Sequence, residues 1–205
     1  MLDDIKKTLW ATPDKLRALT SILIALCLCF NVNAEDRVAI YRSDPHRFAI
    51  TPPINWTKEE STSSGRFSVR FVNKRGTLSV VVKPPSEPEK LILTLVRDRN
   101  FSDAQLLKIS DQLYGQNPRV QDPRVVVTTL ANEPALMSVY EFRLDTMGLS
   151  QYVAVLKLEA IKDGQFYRVE ATSPVAKTAR EAGQSMKSVL SELQRHIQTF
   201  VFLPR

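Results

Sequence analysis

Two strand-like stretches, Tyr152 to Ile161 and Gln165 to Thr172, are separated only by Lys162-Asp163-Gly164. An Asp-Gly pair supplies the positive backbone φ that a two-residue hairpin turn requires. The chain must therefore fold back on itself here as two long antiparallel strands. A second pair, Arg124 to Leu130 and Ala135 to Leu144, flanks the turn sequence Ala131-Asn132-Glu133-Pro134. In its second arm Tyr140, Phe142 and Leu144 share one face and Glu141 and Arg143 the other. These fifty residues predict an antiparallel meander.

Upstream, Phe67, Val69 and Phe71 alternate with Ser68 and Arg70, the period of a strand with one face buried. After Asn73-Lys74-Arg75-Gly76, the run Leu78 to Val82 is apolar on both faces, which predicts a central strand covered on both sides. Ser86 followed by Glu89 predicts a capping box opening a helix with Leu91, Ile92, Leu95 and Val96 at helical spacing. Ser102-Asp103-Ala104-Gln105 opens another, carrying Leu106, Leu107, Ile109 and Leu113 up to Gly115. Gln116 to Asp122 reads as a loop between prolines. Near the end Ala182, Met186, Val189, Leu190, Leu193 and Ile197 form one helical stripe, and Phe200-Val201-Phe202 closes the domain against the sheet. The fold class is α+β: a single domain with a mainly antiparallel sheet covered by helices.

The first thirty-four residues read as a secretory signal. Lys6, Lys7, Lys15 and Arg17 precede an apolar run from Ala18 to Phe30, and Val32-Asn33-Ala34 supplies the small residues of a cleavage site. The run is too short for a span, which takes roughly 20 residues. Cys27 and Cys29 both lie inside it, preceded by the large Leu26 and Leu28, which argues against a lipid-anchored cysteine. Cleavage after Ala34 leaves a cysteine-free chain, so no disulfide framework is expected despite a permissive compartment. Four of the 28 Lys and Arg and three of the 22 Asp and Glu lie in the signal, which leaves a net charge of +5. Periplasmic or secreted location excludes nucleic acid as the partner, and no membrane span remains after cleavage. Residues 35–47 read as a flexible N-terminal arm or a weak edge strand, and 48–205 as the domain.

The order of elements is informative beyond its parts. Phe48-Ala49-Ile50 runs into Pro52-Pro53-Ile54-Asn55-Trp56, two strands lead to a helical region, and a meander and a last helix end in Phe-Val-Phe. This resembles the PsbP/DcrB-like family of α/β/α sandwich domains, whose members often begin with an aromatic-rich strand and a Pro-x-Gly-Trp turn. The resemblance spans Phe48 to Leu203. Asn55 stands where that family usually has Gly, and Asn tolerates left-handed backbone angles better than most residues. The resemblance implies a protein that binds or organises other proteins rather than one that turns over substrate.

Few residues suggest chemistry. His46 sits in a polar turn and His196 flanks the last helix, both with structural readings. No Cys-x-x-Cys, His-x-x-x-His or Gly-x-Ser-x-Gly is present. No catalytic residue, cofactor or metal is expected, and the chain reads as not an enzyme. Glu59 and Glu60 are adjacent, so on a strand they would face opposite ways and read as solvated charge. Trp56 reads as a plug beneath its proline turn, with a partner anchor as the alternative.

Arg66, Arg70, Lys74 and Arg75 concentrate positive charge on one strand face and its turn, and Arg37, Arg42 and Arg47 add more on the arm. They are either a docking strip for an acidic envelope or secreted protein or a solvated edge. The expected function is an exported, non-enzymatic binding, assembly or stabilising factor of the bacterial cell envelope. The alternative is a small apolar ligand or lipid held between sheet and helix.

Overall fold

The computed structural model describes residues 39–97, 101–146 and 149–204. The segment 1–34, read from the sequence as a signal, its two cysteines and Arg37 lie outside the described residues.

Thirteen elements follow in chain order: β1 (Tyr41–Ser43), β2 (Phe48–Ile50), β3 (Thr57–Ser63), β4 (Arg66–Asn73), β5 (Gly76–Lys83), α1 (Glu87–Arg97), α2 (Asp103–Tyr114), β6 (Val120–Leu130), β7 (Glu133–Thr146), β8 (Leu149–Lys162), β9 (Gln165–Thr172), α3 (Ala179–Gln198) and β10 (Val201–Phe202). Seven strands form one sheet in the order β3-β4-β5-β9-β8-β7-β6, every neighbouring pair antiparallel. Two meanders, β3 to β5 and β6 to β9, are thus joined where β9 lies beside β5, with α1 and α2 between them in sequence. β1, β2 and β10 form a separate three-stranded sheet.

Strand alternation divides the large sheet into two faces. One carries Phe67, Val69 and Phe71 of β4, Leu78 and Val80 of β5, and Tyr167 and Val169 of β9, in a core with Leu193 and Ile197 of α3. The small sheet belongs to that core: Phe48 stacks on Phe200 at 5.6 Å, and Phe202 meets the Tyr167 ring edge-on at 4.9 Å. The other face holds a smaller core of Leu93 and Val96 from α1, Ile109 and Tyr114 from α2, and Val125, Leu136 and Phe166 from the sheet. The arrangement is a sandwich with helices on both faces of a mainly antiparallel sheet, the fold class expected from the sequence.

The turns obey the sequence chemistry. Asp163 and Gly164 have φ of 52° and 77°, and Ala131 and Asn132 have 47° and 69°, so both hairpins turn on paired positive-φ residues. Asn55 takes φ 63°, a left-handed conformation that Asn tolerates better than most residues. Gly76 has a stricter role than punctuation: at φ 144° a Cβ would sit 2.2 Å from the Thr172 carbonyl oxygen.

Four local expectations are corrected. The segment before Phe48 is described from 39 onward, and of its two readings the edge strand holds at Tyr41–Ser43, which pairs with β2. The supposed loop to Asp122 already belongs to β6 from Val120, because a bulge between Gln121 and Arg124, with Asp122 at φ 47°, lets the edge strand carry Pro123. On α1 the buried residues are Leu93 and Val96, whereas Leu91 is 65% exposed and Leu95 45%. Apolar residues stand on most sides of that helix, so spacing alone did not select the docked face. On α2 likewise Ile109 and Tyr114 are buried while Leu107 is exposed. On α3, Ala182, Leu193 and Ile197 are buried as the stripe predicts; the side chains of Met186, Val189 and Leu190 lie outside the described residues.

Candidate functional site

β3, which the sequence pattern did not reveal, changes the setting of the basic strip. Thr57 to Ser63 pairs without a bulge along β4, and all seven of its residues are exposed. Its partners on the face away from the larger core are Glu59 opposite Arg70, Ser61 opposite Ser68 and Ser63 opposite Arg66. Exposure rises outward across this face: Ser79 and Val81 of β5 are buried, Ser68 is half-buried, and Arg66 and Arg70 are exposed. β3 and the outward face of β4 therefore form a rim at the sheet edge, while the other face of β4 belongs to the larger core.

Arg66 and Arg70 share one face of this rim, about 13 Å apart at the ordinary strand rise. Arg70 Nη1 lies 3.6 Å from Glu59 Oε2, an ion pair with both side chains more than half exposed. Lys58 pairs with Glu60 on the opposite face at 2.9 Å. Lys74 and Arg75 occupy the exposed turn at the far end of β4, where the Arg75 N–H donates to Asn73 Oδ1 at 2.7 Å. The four basic residues thus run along the whole strand rather than converge.

Of the arm's arginines, Arg42 and Arg47 do not extend that strip. β1 docks on the larger core, its Tyr41 ring edge-on to Phe71 at 5.6 Å, so Arg42 and Arg47 stand on the other side of the sheet from Arg66 and Arg70. Arg42 Nε donates to Asp44 at 2.7 Å, and Arg47 Nη1 to Asp163 at 3.1 Å. Strand parity is the physical reason for the separation: Phe71 and Arg70 are adjacent in sequence and point to opposite faces.

A second polar group was not singled out by sequence reasoning. Lys157 and Glu159, both buried, interrupt the apolar run of β8 and face α2. Glu159 Oε2 lies 3.3 Å from Lys157 Nζ, and Glu159 Oε1 accepts from Arg168 Nε at 2.8 Å across the β8–β9 pairing. Lys157 Nζ stands 5.0 Å from the Tyr114 ring centre, which lies 4.9 Å from that of Tyr140. Burial pushes both phenols up to about 12. Burial disfavours the Arg168 cation, but Glu159 beside it more than offsets this and holds its pKa above the ordinary value. The Tyr114 and Ser138 hydroxyls are both buried and lie close enough to interact with each other. Lys157, Glu159 and the Tyr114 ring together form a contact between α2 and the sheet. The available sequence signal was two charges inside an otherwise apolar strand.

The histidines have structural surroundings. His46 stacks on Phe67 at 3.9 Å, and burial lowers its pKa. His196 Nδ1 lies 2.8 Å from the Thr51 carbonyl oxygen. Trp56 is half-buried against the larger core, as the plug reading expects. Among the described residues no three His, Cys, Asp or Glu are placed to hold a metal ion, and no helix is long and apolar enough to cross a membrane.

No family model matches the sequence, and no curated protein matches it. Among solved structures the chain is similar to cyanobacterial PsbP (CyanoP) from Synechocystis sp. PCC 6803, with 13% identity, 84% of this chain and 97% of that chain covered, and a TM-score of 0.39. LpqN of Mycobacterium tuberculosis, described as involved in cell envelope biogenesis, is similar at 11% identity, 84% and 89% coverage and a TM-score of 0.37. A Bacteroides thetaiotaomicron protein is similar at 12% identity over 81% of this chain, with a TM-score of 0.43, and the chain spans only 48% of that protein's length. The PsbP-like resemblance is a weak likeness of fold alone.

Proposed function

We propose that this chain is an exported, non-enzymatic binding protein that assembles with or stabilises an acidic partner in the bacterial cell envelope. The partner docks on the β3–β4 rim. The carrying observation is the rim itself: seven exposed residues on β3 beside Arg66 and Arg70, with Lys74 and Arg75 at the turn. Arginine pairs bidentately with carboxylates, which adds geometric selectivity to attraction. The existing Arg70–Glu59 pair is solvated, and such pairs contribute about 0–1 kcal/mol. A better-placed carboxylate on the partner can therefore displace Glu59 at little cost. Export is supported by the charged, apolar and small-residue order of residues 1–34, with Glu35 as the mature N-terminus in the periplasm or outside the cell.

The test uses the partner recovered with the chain from an exporting host. Exposed charges are screened over about 8 Å at physiological ionic strength, so affinity should fall as salt rises. Arg66→Glu with Arg70→Glu should weaken binding at least about tenfold while the thermal melt stays in place. Binding indifferent to both salt and this double substitution would overturn the reading.

A further inference from the structure

A cleft of about 520 Å³ lies between α1 and the ends of two hairpins, and it uses none of the rim residues. We propose that it binds a small amphipathic anion: one carboxylate on a short alkyl body. Its volume is in the small-molecule range of roughly 300–1,000 Å³.

The wall on α1 consists of Lys90, Leu93, Thr94 and Arg97, spaced i, i+3, i+4 and i+7 and therefore one stripe of the helix. The apolar part of the lining comes from Leu93, Ile161 and three prolines, Pro84, Pro85 and Pro134. These prolines and the two positive-φ turns at 131–132 and 163–164 fix the opposite wall before any ligand arrives. A pre-organised wall lowers the ordering cost of binding.

Charge selects the ligand's sign. Among the described residues the one carboxylate that lines the cleft is Glu133, which is engaged by Lys162. Nearby Glu89 is held by Lys83 at 2.7 Å and by the Ser86 N–H at 2.8 Å. Lys90 pairs with Glu87 at 2.6 Å, but with side-chain exposures of 50% and 85% that pair is solvated and exchangeable. Lys90 and Arg97 are thus the charges on α1 that can turn to a ligand carboxylate, with the Thr94 hydroxyl between them. A wholly apolar ligand between sheet and helix, the alternative raised by the sequence, fits this cleft less well. It would cover these polar groups without pairing them, which is unfavourable.

The probe is sodium octanoate, titrated into the isotope-labelled chain by amide NMR, with octanol and octylammonium as comparators. Octanoate should produce saturable shifts confined to Lys90, Thr94, Arg97, Ile161 and Gly164, and both comparators should bind at least about tenfold more weakly. Arg97→Gln should weaken octanoate about tenfold, and Thr94→Trp, which fills the cleft from an exposed position, should abolish the shifts. Unchanged melting of both variants separates these effects from misfolding. Octanol binding as well as octanoate, shifts that never saturate, or no shift at all would each overturn the proposal. None of these outcomes bears on the rim, because the rim residues do not line the cleft.

Discussion

β6 and β3 end the same sheet on opposite sides, yet different chemistry shields each edge. β6 is eleven residues long, lies under α2, buries Val125 and Leu130, and is broken by a bulge and Pro123. Shape and helical cover there remove a template for further pairing. β3 has seven residues, no bulge and no proline, has no helix over it among the described residues, and relies on Lys58, Glu59 and Glu60 for solubility. Natural sheets do use charge to discourage edge pairing. However, an edge guarded only by charge is an edge that a partner of complementary charge can occupy. The contrast separates a part of the molecule built for stability from a part that contributes little to it.

The largest expected difference is energetic. Phe166 is fully buried beneath α1, with Lys83 Nζ 4.9 Å and Arg168 Cζ 5.5 Å from its ring centre. Phe166→Ala should destabilise the fold by about 3–5 kcal/mol. Thr62→Ala on β3 should change it by no more than about 0.5 kcal/mol. Chemical denaturation of both variants checks this, and similar losses would dissolve the distinction between body and rim.

The hairpin at Asp163-Gly164, the central position of β5 and the left-handed Asn55 were all legible, because each depends on local backbone chemistry or on a run of apolar residues. β3 was not. Thr-Lys-Glu-Glu-Ser-Thr-Ser carries no apolar alternation, since neither of its faces is buried, and only pairing with β4 makes it a strand. The positions of Arg42 and Arg47 were hidden for a related reason: which side of the sheet β1 covers is decided by Tyr41 packing on Phe71, a long-range contact. Charge clustering in sequence thus placed Arg66 and Arg70 on one face, but it could not show that Arg42 and Arg47 stand on the other side of the sheet. The buried Lys157–Glu159–Arg168 group was visible as residue types, whereas its partners come from β9 and α2.

A smaller difference should appear with pH. Burial pushes the Glu89 carboxyl up, but Lys83 and the Ser86 backbone and hydroxyl outweigh this and leave it below its ordinary 4.5. A lowered folded-state pKa means the unfolded chain binds the proton more readily. The contribution is therefore complete above the ordinary value and is lost as pH falls through the folded one. Glu60 on the rim is also lowered, chiefly by its hydrogen bond from Lys58, but the pair is exposed to solvent, so its contribution is screened. Thermal melts between about pH 6 and pH 3 should show Glu89→Gln flattening the acid limb more than Glu60→Gln. Equal flattening would mean that the rim pair is as firmly held as the one that anchors α1.

Site-specific photo-crosslinking in an exporting host tests the rim most directly. A photoreactive residue is placed at Ser61 on β3 or at Thr129, which is exposed on β6. A discrete partner adduct is expected from Ser61 and not from Thr129, and it should disappear when Arg66→Glu and Arg70→Glu are added. An adduct from Thr129 of equal yield, or one from Ser61 that survives the charge reversal, would contradict the assignment of β3–β4 as the docking surface.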